Sequence, residues 1–188
     1  MITKAIFLDR DGTINVDKGF VYRVKDFEFL PGVIEGLQLL QEIGFLLIII
    51  TNQSGIARGY YTEDDFYNLN NWMLKFLRQH GVKITQVYFC PHHPESLIKK
   101  YRITCKCRKP ALGLFEDAIK KYNIDISRSF ALGDRLRDLK ICMNTKCSGF
   151  LLYKNESDEI IEAVKCGAYK NIQYMSNLLS CARLIKSY

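Results

Sequence analysis

Two aspartates separated by one residue end an apolar run, in Ala5-Ile6-Phe7-Leu8-Asp9-Arg10-Asp11-Gly12-Thr13. Such a run reads as a buried strand delivering both carboxylates to its carboxyl end, where ligands of open α/β sheets bind. Acids held this close repel, and a cation such as Mg²⁺ relieves the repulsion. One carboxylate could then attack phosphorus while the other handles the proton. The plainer reading of the same residues is a strand end with an Asx-type turn.

Three further stretches carry related chemistry. An apolar strand ends in Thr51-Asn52-Gln53-Ser54-Gly55, where a hydroxyl and backbone N–H groups could bind phosphoryl oxygens. Arg108-Lys109-Pro110 places a cation where it could offset charge on a transferring phosphoryl group, with proline at a helix start. Leu132-Gly133-Asp134-Arg135-Leu136-Arg137-Asp138 follows another apolar run and supplies two more carboxylates. Each stretch alone also fits an ordinary strand-to-helix turn or a helix cap.

Cys90-Pro91-His92-His93-Pro94 and Cys105-Lys106-Cys107 form a second kind of cluster. Cys90, His92, Cys105 and Cys107 offer three thiolates and one imidazole, a set suited to tetrahedral Zn²⁺. His93 is an alternative to His92, and unrelated buried cysteines are the bland alternative. With all four ligands from protein, the zinc would be structural, and the loop at 90–107 would be pinned. That loop is basic: Lys99, Lys100, Arg102, Lys106, Arg108 and Lys109 occur without an acidic residue among them. Zinc would thus turn Arg102, Lys106, Arg108 and Lys109 toward an anionic substrate.

In this order, the four phosphate-type stretches resemble the motifs of the haloacid-dehalogenase-like (HAD) phosphatases. The resemblance implies a phosphoric monoester hydrolase with a three-layer α/β/α doubly wound (Rossmannoid) parallel sheet. It implies Asp9 as nucleophile and Asp11 as general acid/base. Thr51 becomes the phosphate-binding hydroxyl and Lys109 the lysine of the third motif. Mg²⁺ is implied at Asp9, the backbone carbonyl of Asp11, and Asp134. Asp138, four residues on along the same helix face, would support the ligands.

Within that family, the runs Phe7–Asn15, Thr51–Gly59, Cys90–Pro94 and Cys105–Pro110 look like those of the D-glycero-D-manno-heptose 1,7-bisphosphate 7-phosphatases. The likeness spans roughly residues 5–153. It implies removal of the 7-phosphate through a phospho-aspartate, in making ADP- or GDP-heptose for lipopolysaccharide core or other surface glycans. It also implies a substrate surface from Asp17, Lys18, Gly19, Phe20, Asn52, Gln53, Ser54, Arg108, Lys109 and Arg135. Arg135 departs from the lysine common in relatives, and the tail after about residue 154 matches no pattern.

Competing readings differ in substrate. A histidinol-phosphate phosphatase would want carboxylates at the entrance, where this chain is basic. A nucleic-acid 3′-phosphatase would need a long positive track and stacking aromatics, for which Tyr60, Tyr61 and Phe66 near Arg58 are the candidates. A non-catalytic binding protein has no reason to keep Asp9, Asp11, Thr51, Lys109 and Asp134 together.

The elements that must hold these residues alternate between strand and helix signals. Strands are expected over Ala5–Asp9, Phe45–Ile50, up to Val87–Phe89, Phe130–Gly133 and Phe150–Tyr153. Helices are expected over 32–43, from Thr62 to about His80, Ala111–Tyr122 and Arg135–Met143. Later come helical Asp158–Val164, an edge strand at Ile172 and a final helix over Met175–Lys186. About 20 residues separate the first strand from the first helix, too few for a cap domain. A single domain over residues 1–188 with an open site is therefore expected.

The chain has 188 residues, a formal net charge of +7 and seven cysteines. The charge suits a small polyanion without requiring nucleic acid. The start of the chain does not read as a signal peptide, so a cytoplasmic protein is expected, with cysteines serving metals or cores rather than disulfides. No apolar run is long enough to span a membrane. No nucleic-acid or membrane partner is expected, and the chain reads as a monomer. Cys142, Cys147, Cys166 and Cys181 read as small buried apolar residues.

Overall fold

The computed structural model describes residues 3–153 and 155–187. Met1 and Ile2, expected to lead into the first strand, lie outside the described residues. Among the described residues, six strands form one sheet: β1 (Ala5–Leu8), β2 (Leu46–Asn52), β3 (Ile84–Cys90), β4 (Phe130–Gly133), β5 (Ser148–Leu152) and β6 (Ile172–Met175). Their order is β3-β2-β1-β4-β5-β6, and every pairing is parallel. Among the described residues, seven α-helices accompany them: α1 (Val33–Glu42), α2 (Ser54–Ala57), α3 (Glu63–Gln79), α4 (Gly113–Tyr122), α5 (Lys140–Asn144), α6 (Asp158–Lys165) and α7 (Leu178–Lys186).

The central strands are apolar throughout because both faces are covered. Ile6, Leu8, Leu47 and Ile49 face one core with Leu37 and Leu40 of α1, Met73 and Leu77 of α3, and Leu178 and Ala182 of α7. Ala5, Phe7, Ile48 and Ile50 face the other, with Leu114 and Phe115 of α4, Ile141 of α5 and Ile161 of α6. This is the expected three-layer doubly wound fold. Trp72 packs at the rim of the first core against Phe27 and Phe76.

The chain leaves β1 for β2 on one side and returns to β4 on the other. The carboxyl ends of these strands therefore flank a topological switch point, the usual ligand crevice. Asp9 follows β1, Thr51 and Asn52 end β2, Cys90 ends β3, and Asp134 follows β4.

The capped start of α3 is as expected. Thr62 Oγ1 accepts from the Asp65 N–H at 3.1 Å, and Asp65 Oδ2 accepts from the Thr62 N–H at 2.8 Å. Three expectations need correction. The stretch from Arg135 is a 3₁₀ turn over Leu136–Leu139 before α5, because Asp138 Oδ2 accepts the Arg135 N–H and Glu156 Oε1 accepts the Leu136 N–H. Asp134 thus precedes the turn and shares no helix face with Asp138. The helix after Pro110 starts only at Gly113, since the Ala111 and Gly113 N–H groups close turns onto Arg108 O and Lys106 O. Cys166, at the end of α6, is exposed, whereas Cys142, Cys147 and Cys181 are buried. No helix among the described residues is long and apolar enough to cross a membrane.

Candidate active site

Asp9 lies at the floor of a cleft of about 370 Å³ at the strand ends. Its Oδ1 accepts a hydrogen bond of 2.8 Å from Lys109 Nζ. The same ammonium donates to the Ile50 carbonyl at 2.7 Å and lies 2.7 Å from Asp138 Oδ1. Lys109 is thus wrapped by three oxygens at 1% side-chain exposure, matching its three N–H donors. Among the described residues no hydrogen bond reaches Asp9 Oδ2, so that oxygen faces the cleft unclaimed.

Carboxylate oxygens of Asp9, Asp134 and Asp138 lie within 4.8 Å of one another, and all three residues are buried. Burial pushes the Asp9 carboxyl up to about 6, against the pull of Lys109. Burial, reinforced by the charges of Asp9 and Asp138, pushes Asp134 up to about 8. Asp134 Oδ2 accepts from Asn155 Nδ2 at 3.1 Å, while its buried Oδ1 has no partner. A buried acidic oxygen without a donor fits a cation ligand. Gly12 lets this happen: with φ at +81°, it lies so close that any Cβ would strike Asp134 Oδ2.

Asp11 stands apart from that cluster. Arg10 Nε and Nη2 reach Oδ2 at 3.2 and 2.9 Å, and Nη2 also reaches Oδ1 at 3.0 Å. Asn15 Nδ2 donates to Oδ1 at 3.0 Å and Gln53 Nε2 to Oδ2 at 2.9 Å. Together these donors fix the direction in which the Asp11 carboxyl points. Gln53 in turn accepts from Tyr61 Oη at 2.6 Å and donates to Thr51 Oγ1 at 2.9 Å. With its lone pair occupied, the Thr51 hydroxyl can aim its proton into the cleft.

The cleft wall includes Asp17, Gly19, Phe20, Asn52, Gln53, Ser54 and Arg108 of the expected substrate surface. Two expected residues are elsewhere. Lys18 pairs with Glu28 at 2.8 Å on the exposed side of its loop. Arg135 bends toward Asp134 and Glu156, at 3.8 and 3.9 Å. Within the basic loop, Arg102 folds back to donate to the Ser96 carbonyl at 2.6 Å, and Lys106 is exposed outside the cleft wall. Only Arg108 and Lys109 of the four expected cations reach the cleft, because backbone carbonyls of the loop claim Arg102. Asn52 and Gln53 spend their amides on protein partners.

Sequence reasoning missed several residues. Arg10 and Asn15 lie within the first motif but carry no separate signal of contact with Asp11. Arg58 lies within the second run and Tyr61 just after it; on sequence alone neither is assigned to the phosphate site, yet both line the cleft. Arg137 is a basic residue between the two acids of the fourth. Asn155 belongs to the illegible tail.

The Cys/His cluster comes together beyond β3. Sγ of Cys90 lies 3.5 Å from that of Cys105 and 3.1 Å from that of Cys107, and the Cys105–Cys107 pair is 3.0 Å apart. His92 Nδ1 is 3.7 Å from Cys90 Sγ and 3.3 Å from Cys107 Sγ. Zinc–sulfur bonds of ~2.3 Å give tetrahedral edges of roughly 3.8 Å, so this donor set fits with slight expansion. His93 instead faces Arg58 and the Glu95 N–H.

The polynucleotide kinase 3 phosphatase family model matches residues 4–146. The D-glycero-β-D-manno-heptose-1,7-bisphosphate 7-phosphatase of Haemophilus ducreyi is 50% identical over 137 residues, covering 72% of this chain and 75% of that protein. The protein of the same name from Pasteurella multocida is 47% identical over 151 residues, 80% of this chain and 82% of that one. Among solved structures, the D,D-heptose 1,7-bisphosphate phosphatase of B. bronchiseptica, complexed with magnesium and phosphate, superposes with a TM-score of 0.82. It is 28% identical, over 99% of this chain and 100% of that one.

Proposed function

The chain belongs to the HAD-like phosphatases, within the family of D-glycero-β-D-manno-heptose-1,7-bisphosphate 7-phosphatases, and from that premise we propose how its residues act. It is a phosphatase of heptose 1,7-bisphosphate that removes the 7-phosphate. The names of its relatives favour the β anomer. The observation that carries the reading is the Asp9–Lys109 pair at the cleft floor, with one Asp9 oxygen tied and the other open.

Asp9 Oδ2 attacks phosphorus, and the bond to the C7 oxygen breaks. Asp11 gives the departing oxygen its proton. Asp11, again a carboxylate, then takes a proton from water as that water attacks the phospho-aspartate. Phosphate leaves, and Asp9 is restored. Thr51 donates its hydroxyl proton to a phosphoryl oxygen. Lys109 holds the nucleophile in one orientation and offsets charge on the phosphoryl group.

Mg²⁺ would be held by Asp9, Asp134 and the Asp11 backbone carbonyl; the partnerless Asp134 Oδ1 supports that placement. Bound there, it supplies charge neutralisation for the nucleophile and the phosphoryl oxygens. Asp138 is better read as the counter-charge of Lys109. Zn²⁺ would be held by Cys90, His92, Cys105 and Cys107, and would fix the segment that carries Arg108.

The match to the polynucleotide kinase 3 phosphatase model keeps a nucleic-acid 3′-phosphate as the competing substrate. Phosphate release from the β-1,7-bisphosphate, histidinol phosphate and a 3′-phosphorylated oligonucleotide, each with Mg²⁺, tests the choice. Preference for the heptose bisphosphate is expected. Faster release from either of the others would overturn the substrate assignment and leave the two-step chemistry intact.

A further inference from the structure

The cleft holds more positive charge than one phosphoryl group uses. Beyond Lys109, its wall carries Arg58, Arg108 and Arg137. These come from three distant parts of the chain: just after α2, from the Cys/His loop, and from the 3₁₀ turn after β4.

What holds these arginines is largely neutral. Arg108 Nη1 donates to the His92 carbonyl at 3.2 Å. Arg58 Nη2 lies 3.4 Å from His93 Nε2, and its guanidinium stands 5.9 Å from the centre of the Phe20 ring. Adjacent residues of one loop thus anchor two guanidinium groups side by side. Among the described residues, no carboxylate pairs with Arg58 or Arg108. Arg137 comes within 3.9 Å of Asp138 Oδ1, an oxygen already 2.7 Å from Lys109 Nζ. Burial depresses the Arg108 guanidinium below its ordinary range, and the charges of Arg137 and Arg58 add to that.

Three guanidinium groups turned to one cleft repel one another. A dianion among them reverses the sign, and the planar fork of arginine suits phosphate oxygens. The floor of the cleft serves the phosphate that reacts. We propose that Arg58 and Arg137 join Arg108 in binding the substrate's second, non-reacting phosphate, and thereby set preference for a bisphosphate over a monophosphate. The inference rests on the function proposed above and assigns residues that the motifs do not single out.

The test compares kcat/KM for heptose 1,7-bisphosphate and heptose 7-phosphate in wild type, Arg58→Gln and Arg137→Gln. Each substitution is expected to lower the bisphosphate-to-monophosphate ratio about tenfold, mainly through KM for the bisphosphate. Arg58→Lys and Arg137→Lys should recover part of the ratio, because charge returns without the fork. Zinc content and thermal midpoint of each variant report whether the loop is intact, and Arg58→Gln stands alone if Arg137→Gln misfolds. Ratios within about twofold of wild type in intact variants overturn the arginine assignment and leave the proposed function standing. A wild-type ratio near one removes the bisphosphate reading and this inference together.

Discussion

Asn52 and Lys109 hold each other by reciprocal hydrogen bonds. Asn52 Nδ2 donates to the Lys109 carbonyl, and the Lys109 N–H donates to Asn52 Oδ1, each at 3.0 Å. A side-chain amide at the end of β2 thus imitates a strand partner for the segment that carries the ammonium. Asn52 acts here through Lys109. Asn52→Ala is expected to lower kcat about tenfold with a smaller change in KM, because the ammonium loses its fixed direction. Steady-state kinetics decide it; a pure KM effect would make Asn52 a substrate contact instead.

Lys109 is sandwiched between Asp9 and Asp138 at 2.8 and 2.7 Å. Lys109→Met leaves two buried carboxylates without their cation, and should cost about 3 kcal/mol or more in metal-free protein. Adding Asp138→Asn removes one stranded charge and should return part of that stability. Urea unfolding in chelator measures both variants. A double variant no more stable than Lys109→Met would refute the pairing.

The acidic cluster makes a prediction with a definite sign. In metal-free protein, burial holds Asp9 and Asp134 protonated up to about 6 and about 8, whereas unfolded aspartate titrates near ~3.9. The folded state therefore binds protons that the unfolded state has lost. Stability is fullest below the unfolded value and falls as pH rises through 6 and then 8. Both carboxyls must be ionised to hold Mg²⁺, so its affinity should climb over the same window. Calorimetric titration of Mg²⁺ at several pH values between these limits should show it; a flat affinity would speak against the cluster as the metal site.

Cys107 directly precedes Arg108 in the chain, so one corner of the thiol–imidazole cluster is a single residue from the cleft wall. Cys107→Ser is expected to lower zinc content and thermal midpoint, and to raise KM for the bisphosphate more than it lowers kcat. Elemental analysis, a thermal melt and kinetics on one preparation suffice. Wild-type melting and KM in zinc-free protein would show that the loop holds its shape without a metal.

The sequence made the architecture legible because the strands are unbroken apolar runs, and each phosphate-type stretch begins where one stops. The Thr62/Asp65 box could be read for the same local reason. Side-chain direction could not. That Asn52 clamps a backbone, that Gln53 holds Asp11, and that Arg102 turns away from the cleft depend on contacts between segments some 40–60 residues apart or on loop folding. Asn155 was invisible, since one hydrogen bond to Asp134 across 21 positions leaves no periodic signal. The turn at Leu136–Leu139 is set by the Asp138 and Glu156 carboxylates that accept the Arg135 and Leu136 N–H groups, contacts that the sequence does not mark.

The decisive experiment follows the two phosphorus signals of D-glycero-β-D-manno-heptose 1,7-bisphosphate by NMR, with Mg²⁺ and either wild-type protein or Asp9→Asn. Wild type should release the 7-phosphate and leave the 1-phosphate on the sugar, while Asp9→Asn, still folded, should release neither. Loss of the 1-phosphate, or turnover by pure Asp9→Asn, would contradict the account.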